Sequence, residues 1–153
     1  MSLILSPQEL RTFFVTFVVV ERGRLFQVDS NAELLFELFW GDREKGRYFL
    51  HAWVIMPDHV HVLLTPAGDI PLEKAVQFIK GGFSFRLKLG REVWQRGYLE
   101  HRIQDEEDFE RHVAYIARNP VRAGLGEDYR WSYVGYPESV DPRPVHFGGR
   151  AQG

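Results

Sequence analysis

Trp53-Val54-Ile55-Met56-Pro57-Asp58-His59-Val60-His61-Val62-Leu63-Leu64 reads as two apolar, β-branched runs on either side of Met56-Pro57-Asp58. That connection is too short for anything but a tight turn. The spacing therefore predicts an antiparallel hairpin with one arm over 47–55 and the other over 59–65. Side chains alternate across a strand, so His59 and His61 point to one face with Cα atoms roughly 6.5 Å apart. Two readings fit this pair. It is half of a metal site whose third ligand comes from elsewhere, since two imidazoles do not close a structural site; or the His-Val-His-Val alternation simply turns polar residues to solvent.

Working outward, the run from Thr12 to Val20 is rich in Phe, Val and Thr and predicts a first strand, ended by the turn Glu21-Arg22-Gly23-Arg24. Ser30 with Glu33 has the form of a capping box, and Leu34, Leu35, Leu38 and Phe39 follow at helical spacing, predicting a helix over 31–40 that Gly41 stops. After the hairpin, Pro71 suits the first turn of a helix whose apolar positions are Leu72, Ala75, Val76, Ile79, Phe83 and Leu87. Gly81-Gly82 inside it predicts a kink or a close backbone approach. A fourth strand is expected over 94–103. A last helix is expected from Asp105, a cap followed by acids, to Asn119, where Pro120 disfavours helical geometry. Trp131-Ser132-Tyr133 offers a final anchor, and the glycines and prolines of 135–153 predict a flexible tail after a single domain over 1–134.

This order of elements is the ferredoxin-like split arrangement, an α+β fold with a four- to five-stranded antiparallel sheet and helices mainly on one face. In it the His59–His61 strand is central and the last helix can pack near it. That helix carries an apolar stripe of Phe109, Val113, Ile116 and Ala117, with Asp108, His112, Tyr115 and Asn119 on a flank. Tyr115 and Asn119, four residues apart, share a surface. Taken alone they are also what a half-exposed tyrosine beside a C-terminal asparagine cap looks like.

The 153 residues, 44% hydrophobic and 14% aromatic, suffice for one domain with its own core. The longest apolar run, Phe13 to Val20, falls short of the roughly 20 residues that cross a membrane, and no secretory signal is visible, so no membrane association is expected. The absence of cysteine excludes disulfide and thiol chemistry and fits a cytoplasmic location. A net charge of −2 argues against gripping duplex DNA by bulk electrostatics. Any nucleic-acid contact has to be local.

Met56-Pro57-Asp58-His59-Val60-His61-Val62-Leu63, Trp94-Gln95-Arg96-Gly97-Tyr98, Tyr115-Ile116-Ala117-Arg118-Asn119-Pro120-Val121-Arg122-Ala123-Gly124-Leu125 and Trp131-Ser132-Tyr133 together resemble the Y1 (HUH) transposase family of the IS200/IS605 type. They most resemble its REP-associated tyrosine transposase branch. The resemblance implies a single-stranded DNA endonuclease and strand transferase that acts on hairpin-bearing DNA through a 5′-phosphotyrosine intermediate. It makes Tyr115 the nucleophile, His59 and His61 metal ligands and Asn119 the third ligand. A divalent ion, Mg²⁺ or Mn²⁺, is the implied cofactor; resemblance to the IS200/IS605 transposases implies a homodimer, while resemblance to the REP-associated branch is compatible with a monomer. Imidazole and amide donors suit Mn²⁺ and tolerate Mg²⁺.

From the residues themselves, His112 is a candidate acid or base, and Arg118, Arg122, Arg86 and Lys88 are candidate DNA-backbone contacts. Trp94 and Tyr98 are candidates for base stacking or for core packing. Two departures from the family pattern are visible: its first strand often carries a histidine where this chain has Phe14-Val15-Thr16-Phe17, and a second serine between Trp131 and Tyr133 is missing. Two other readings are open: a non-cleaving protein of the same fold that binds single-stranded DNA or RNA hairpins, and a metal-dependent hydrolase that uses bound water.

Overall fold

The computed structural model describes residues 10–147. The chain runs β1 (Phe13–Val18), α1 (Asp29–Glu44), β2 (Tyr48–Ile55), β3 (His59–Pro66), α2 (Leu72–Leu87), β4 (Leu99–Arg102) and α3 (Glu106–Arg122), with short 3-10 turns between and after them. The sheet order is β2-β3-β1-β4, every neighbouring pair antiparallel. This is the expected ferredoxin-like order with β3 inside the sheet. Residues 148–153 of the expected tail lie outside the described residues.

Alternation sorts the strands into two faces. Val15 and Phe17 of β1, Trp53 and Ile55 of β2, and Val60, Val62 and Leu64 of β3 pack with Ala32, Leu35, Leu38 and Phe39 of α1 and Ala75, Val76, Ile79 and Phe83 of α2. The opposite face, with Ala52, Val54, Met56 and Leu63, takes Phe109 and Ile116 of α3. Two helices therefore cover one face and the third covers the other. His59 and His61 have odd numbers in β3 and so share the α3 face with Leu63.

A β-bulge sits at His51, where the β2–β3 register shifts between Leu50 and Ala52. The extra residue reverses the parity of β2, so that Leu50 and Trp53 both face the main core.

Several element ends differ from the sequence reading. The α1 helix starts at Asp29 with Val28 as N-cap, and no capping side chain is used; the Asn31 side chain instead donates to the Leu25 carbonyl at 2.9 Å. Ser30 and Glu33 are thereby ordinary helical residues. Gly41 does not stop the helix, because one glycine costs only about 1 kcal/mol; the stop is Gly46, at φ +71°. β4 is shorter than expected: Gln95 donates to the Val18 carbonyl at 2.7 Å, the chain then leaves the ladder through Gly97 (φ +78°), and pairing resumes at Leu99.

The α3 helix continues through Pro120 to Arg122. Pro120 has no N–H for the Ile116 carbonyl, and the helix carries on for two residues past it. The helix closes in a Schellman pattern, with Leu125 N–H on the Pro120 carbonyl at 2.8 Å, Gly124 N–H on Val121 at 2.9 Å and Gly124 at φ +80°.

The chain does not leave the core at residue 135. Ser139 is buried and accepts from Trp53 Nε1 at 2.9 Å, and Asp141 accepts from Leu50 N–H at 2.8 Å and pairs with Arg43.

Candidate active site

The β1–β3 register sets His59 opposite Val18 and His61 opposite Thr16. The His59 Nδ1–H donates to Asp58 Oδ1 at 2.7 Å, and Asp58 in turn meets Arg22 at 3.2 Å. Burial alone would raise Asp58, but the His59 hydrogen bond and the Arg22 charge outweigh it and hold its carboxyl below the usual range. Nδ1 of His61 lies 2.8 Å from the Thr16 hydroxyl. With both Nδ1 atoms engaged, the two Nε2 atoms are the free donors, as in metal-binding histidines oriented by a carboxylate or hydroxyl. The rings are 4.9 Å apart. Burial, with His59 adding to it, pushes the His61 imidazole down to about 3, so it is neutral at neutral pH and able to donate its lone pair.

The α3 helix is capped by Asp105, whose side chain accepts from the Asp108 N–H at 2.8 Å. Its apolar stripe is anchored by Phe109 and Ile116, both buried. Of the flank predicted to be off-stripe, Tyr115 meets the histidine pair. Tyr115 is 39% exposed, and its ring stands edge-on to His61 at 5.4 Å and to Phe14 at 5.8 Å. The Arg122 guanidinium lies 5.8 Å from the centre of the same ring.

Asn119, one turn on, has a buried Oδ1 without a hydrogen-bond partner. An orphaned amide oxygen at a buried position costs on the order of 1–3 kcal/mol. A cation shared with the two free Nε2 atoms would satisfy it, so the donors present fit a divalent ion. Beside the pair, a cavity of about 260 Å³ is lined by Thr16, Val18, Gln95, Arg96, Gly97, Tyr98 and Leu99.

The other candidates separate. Arg122 is at the site, and Arg118 lies exposed on the same helix. Arg86, on α2, and Lys88, its C-cap, are exposed in the helical layer across the sheet, where Arg86 acts on Asp42; the structure does not bring them to the site. Trp94 is a core residue packed on Phe17, Phe26 and Phe83, whereas Tyr98 lines the cavity. No ring contact or hydrogen bond joins His112 to Tyr115 among the described residues. Nδ1 of His112 meets the Asp108 carbonyl at 2.8 Å, and its ring lies against Phe14 and His101. Asp58 and Thr16, which orient the histidines, were missed from sequence. Their only signals were the Pro-Asp-His adjacency and the polar break in an apolar run.

An α+β sheet with two histidines on one strand, a tyrosine against them and an amide one turn further along defines a single-tyrosine, His-x-His class of protein. The chain belongs to the family described as Transposase IS200 like, whose model matches residues 10–119. A REP-associated tyrosine transposase of Escherichia coli K12 is 37% identical over 76 residues, which are 49% of this chain and 46% of that protein; the match thus spans about half of that relative's length. A Haemophilus influenzae protein placed in the same group is 31% identical over 154 residues, covering 90% of this chain and 87% of the relative. The solved structure of a REP-associated tyrosine transposase bound to a REP hairpin superposes with a TM-score of 0.72 at 23% identity, covering 99% of this chain and 90% of that one. Among the described residues no helix is long and apolar enough to cross a membrane.

Proposed function

We propose that this chain is a metal-dependent single-stranded DNA endonuclease and strand transferase acting on hairpin-bearing DNA, with Tyr115 as nucleophile. One observation carries the proposal: a half-exposed phenol stands against a neutral imidazole, His61, on a helix whose next turn carries an unpartnered amide oxygen. The Tyr115 oxygen attacks phosphorus as the bond to the 3′ oxygen breaks. The phenol proton leaves to solvent and the departing 3′ oxygen gains one. The products are a 5′-phosphotyrosine and a free 3′-hydroxyl, and reversal on another end joins strands. A protonated phenol is a poor nucleophile, so its proton has to leave as it attacks.

A divalent cation, Mg²⁺ or Mn²⁺, held by His59, His61 and Asn119 would supply charge neutralisation at the phosphate oxygens. Phe14 walls one side of the phenol and fixes its approach, while Arg122, over the ring, is placed to meet phosphate. Arg118 is a second backbone contact on the same helix. His112 is left out of proton transfer, since its Nδ1 is tied to Asp108.

The hairpin preference is supported by the relative solved with a REP hairpin. The cavity at Arg96, Gln95 and Tyr98 has the size and chemistry for an unpaired nucleotide beside the scissile phosphate. One chain supplies both histidines and tyrosine, so a monomer contains a whole site.

The test is incubation of the protein with single-stranded hairpin DNA and Mn²⁺, read as a covalent adduct on a denaturing gel. Wild type should form it. Tyr115→Phe should lose it while keeping affinity for the hairpin. An adduct retained in Tyr115→Phe removes the nucleophile assignment, and cleavage by that variant without an adduct points to a water-using hydrolase. Hairpin binding by wild type with neither cleavage nor adduct leaves the non-cleaving module.

A further inference from the structure

Away from the His59–His61 pair, β4 and the first two turns of α3 bring together His101, Asp108 and His112. His101 Nε2 lies 2.8 Å from Asp108 Oδ2, and His112 Nδ1 lies 3.2 Å from Asp108 Oδ1. The imidazoles are stacked at 4.7 Å. One nitrogen from each histidine and one carboxylate oxygen all lie within 4.8 Å of one another. We propose that this cluster is a second divalent-metal site, suited to a borderline transition ion such as Zn²⁺, Co²⁺ or Ni²⁺ rather than to Mg²⁺.

Three observations support it. Donors about 2.0–2.1 Å from a common ion stand roughly 2.9–3.4 Å from each other, and the two contacts across Asp108 are close to that spacing before any ion arrives. Two imidazoles with one carboxylate are the donor set of Zn²⁺ and its neighbours, whereas Mg²⁺ asks for oxygen. The site is also held in place. Asp108 is buried, its N–H is fixed on the Asp105 cap, and its Oδ2 accepts from Gln104 N–H at 2.9 Å. Asp108 and His112 are four apart on one helical face, and the His101 side chain, 44% exposed, leaves an open side for water or a further ligand.

Arg111, 3.1 Å from Asp108 Oδ1, opposes a cation; its side chain is 63% exposed and also reaches Glu107 at 3.7 Å, so it can turn away at little cost. On binding, His112 Nδ1 gives up its hydrogen bond to the Asp108 carbonyl, 2.8 Å away, and the proton of each coordinating nitrogen passes through solvent to the other nitrogen of its ring. The ion then clamps the start of α3 to β4, one turn ahead of Tyr115. This inference does not rest on the catalytic reading.

The experiment is titration of the metal-free full chain with Zn²⁺ by calorimetry and with Co²⁺ by visible absorption. Wild type should take up an equivalent of Zn²⁺ that His101→Ala, at an exposed edge-strand position, and His112→Gln each lose and that His59→Ala keeps. A 100-fold excess of Mg²⁺ should leave the His101-dependent equivalent bound. The proposal is overturned if the only equivalent found depends on His59, if His101→Ala and His112→Gln both bind as much Zn²⁺ as wild type, or if Mg²⁺ displaces the His101-dependent ion. The first of these outcomes would leave the catalytic reading standing.

Discussion

At the scale of single residues, burial decides which histidines are chemically quiet. His51, at the β2 bulge, is 7% exposed; its Nε2 meets the Thr65 hydroxyl at 2.8 Å and its ring stands edge-on to Phe109. Burial pushes its imidazole down to about 4, with the Asp141 carboxylate and nearby carbonyls offsetting only part. An unfolded chain protonates this group below about 6.5, the folded one only near 4. Its contribution to stability is therefore complete above pH 6.5 and is lost as pH falls from 6.5 to 4, by at most about 3 kcal/mol. His61 shifts in the same direction. Urea unfolding at pH 7.5 and pH 4.5 should show this loss in wild type and a smaller one in His51→Gln, which keeps a hydrogen-bonding nitrogen without a titratable ring. Equal losses in the two proteins would refute the assignment. Residues of this kind were hard to read from sequence. The alternation of His59 and His61 announced itself, but the partner of His61 is Thr16 only because of the β1–β3 register. The orphaned Asn119 oxygen exists only once α3 is docked.

At the scale of elements, local signals failed where packing overrode them. The Ser30–Glu33 signature and Gly41 misplaced both ends of α1 because the buried face extends past them: Ala32 is fully buried near one end, and at the other Asp42 is buried against Arg47 at 2.8 Å and the Tyr48 hydroxyl at 3.0 Å. Of the kink or close backbone approach expected at Gly81-Gly82, α1 comes close at Gly82 and not at Gly81, and the two positions differ in a testable way. A Cβ on Gly82 would stand 3.1 Å from Leu38 Cδ1, a core methyl of α1, whereas one on Gly81 would meet only the Gln77 side-chain nitrogen at 2.7 Å. That amide is the free end of a flexible chain and can swing aside. Gly81→Ala should thus gain most of the helical preference of alanine, about 0.5–1 kcal/mol. Gly82→Ala should gain less or lose stability, because α1 and α2 must separate. Denaturant midpoints of the two variants, measured side by side, check the order, and a more stable Gly82→Ala would show that the α1–α2 seam has slack.

At the scale of the whole molecule, the strand order followed from the alternation of elements, because a split βαβ pair has few unknotted solutions. Which face α3 would take was not legible, and on that face depends whether one chain or two builds the site. The structure argues for one. Only residues 103–105 separate β4 from α3, and Ile103 is fully buried with its N–H on the Thr12 carbonyl at 2.8 Å. The His101–Asp108 contact fastens the first turn of the helix to the same strand. A helix so tethered reaches a second copy only by giving up the His101–Asp108 contact and turning at residues 103–105. Mixing Tyr115→Phe with His59→Ala then gives a direct reading. If helices were exchanged between subunits, a 1:1 mixture would place an intact tyrosine over intact histidines in one site of each mixed dimer. Random pairing would restore about a quarter of the wild-type sites. If each chain completes its own site, every site in the mixture lacks either the nucleophile or a ligand, and no covalent adduct with hairpin DNA should form. Adduct at about a quarter of the wild-type level would show that α3 crosses between chains.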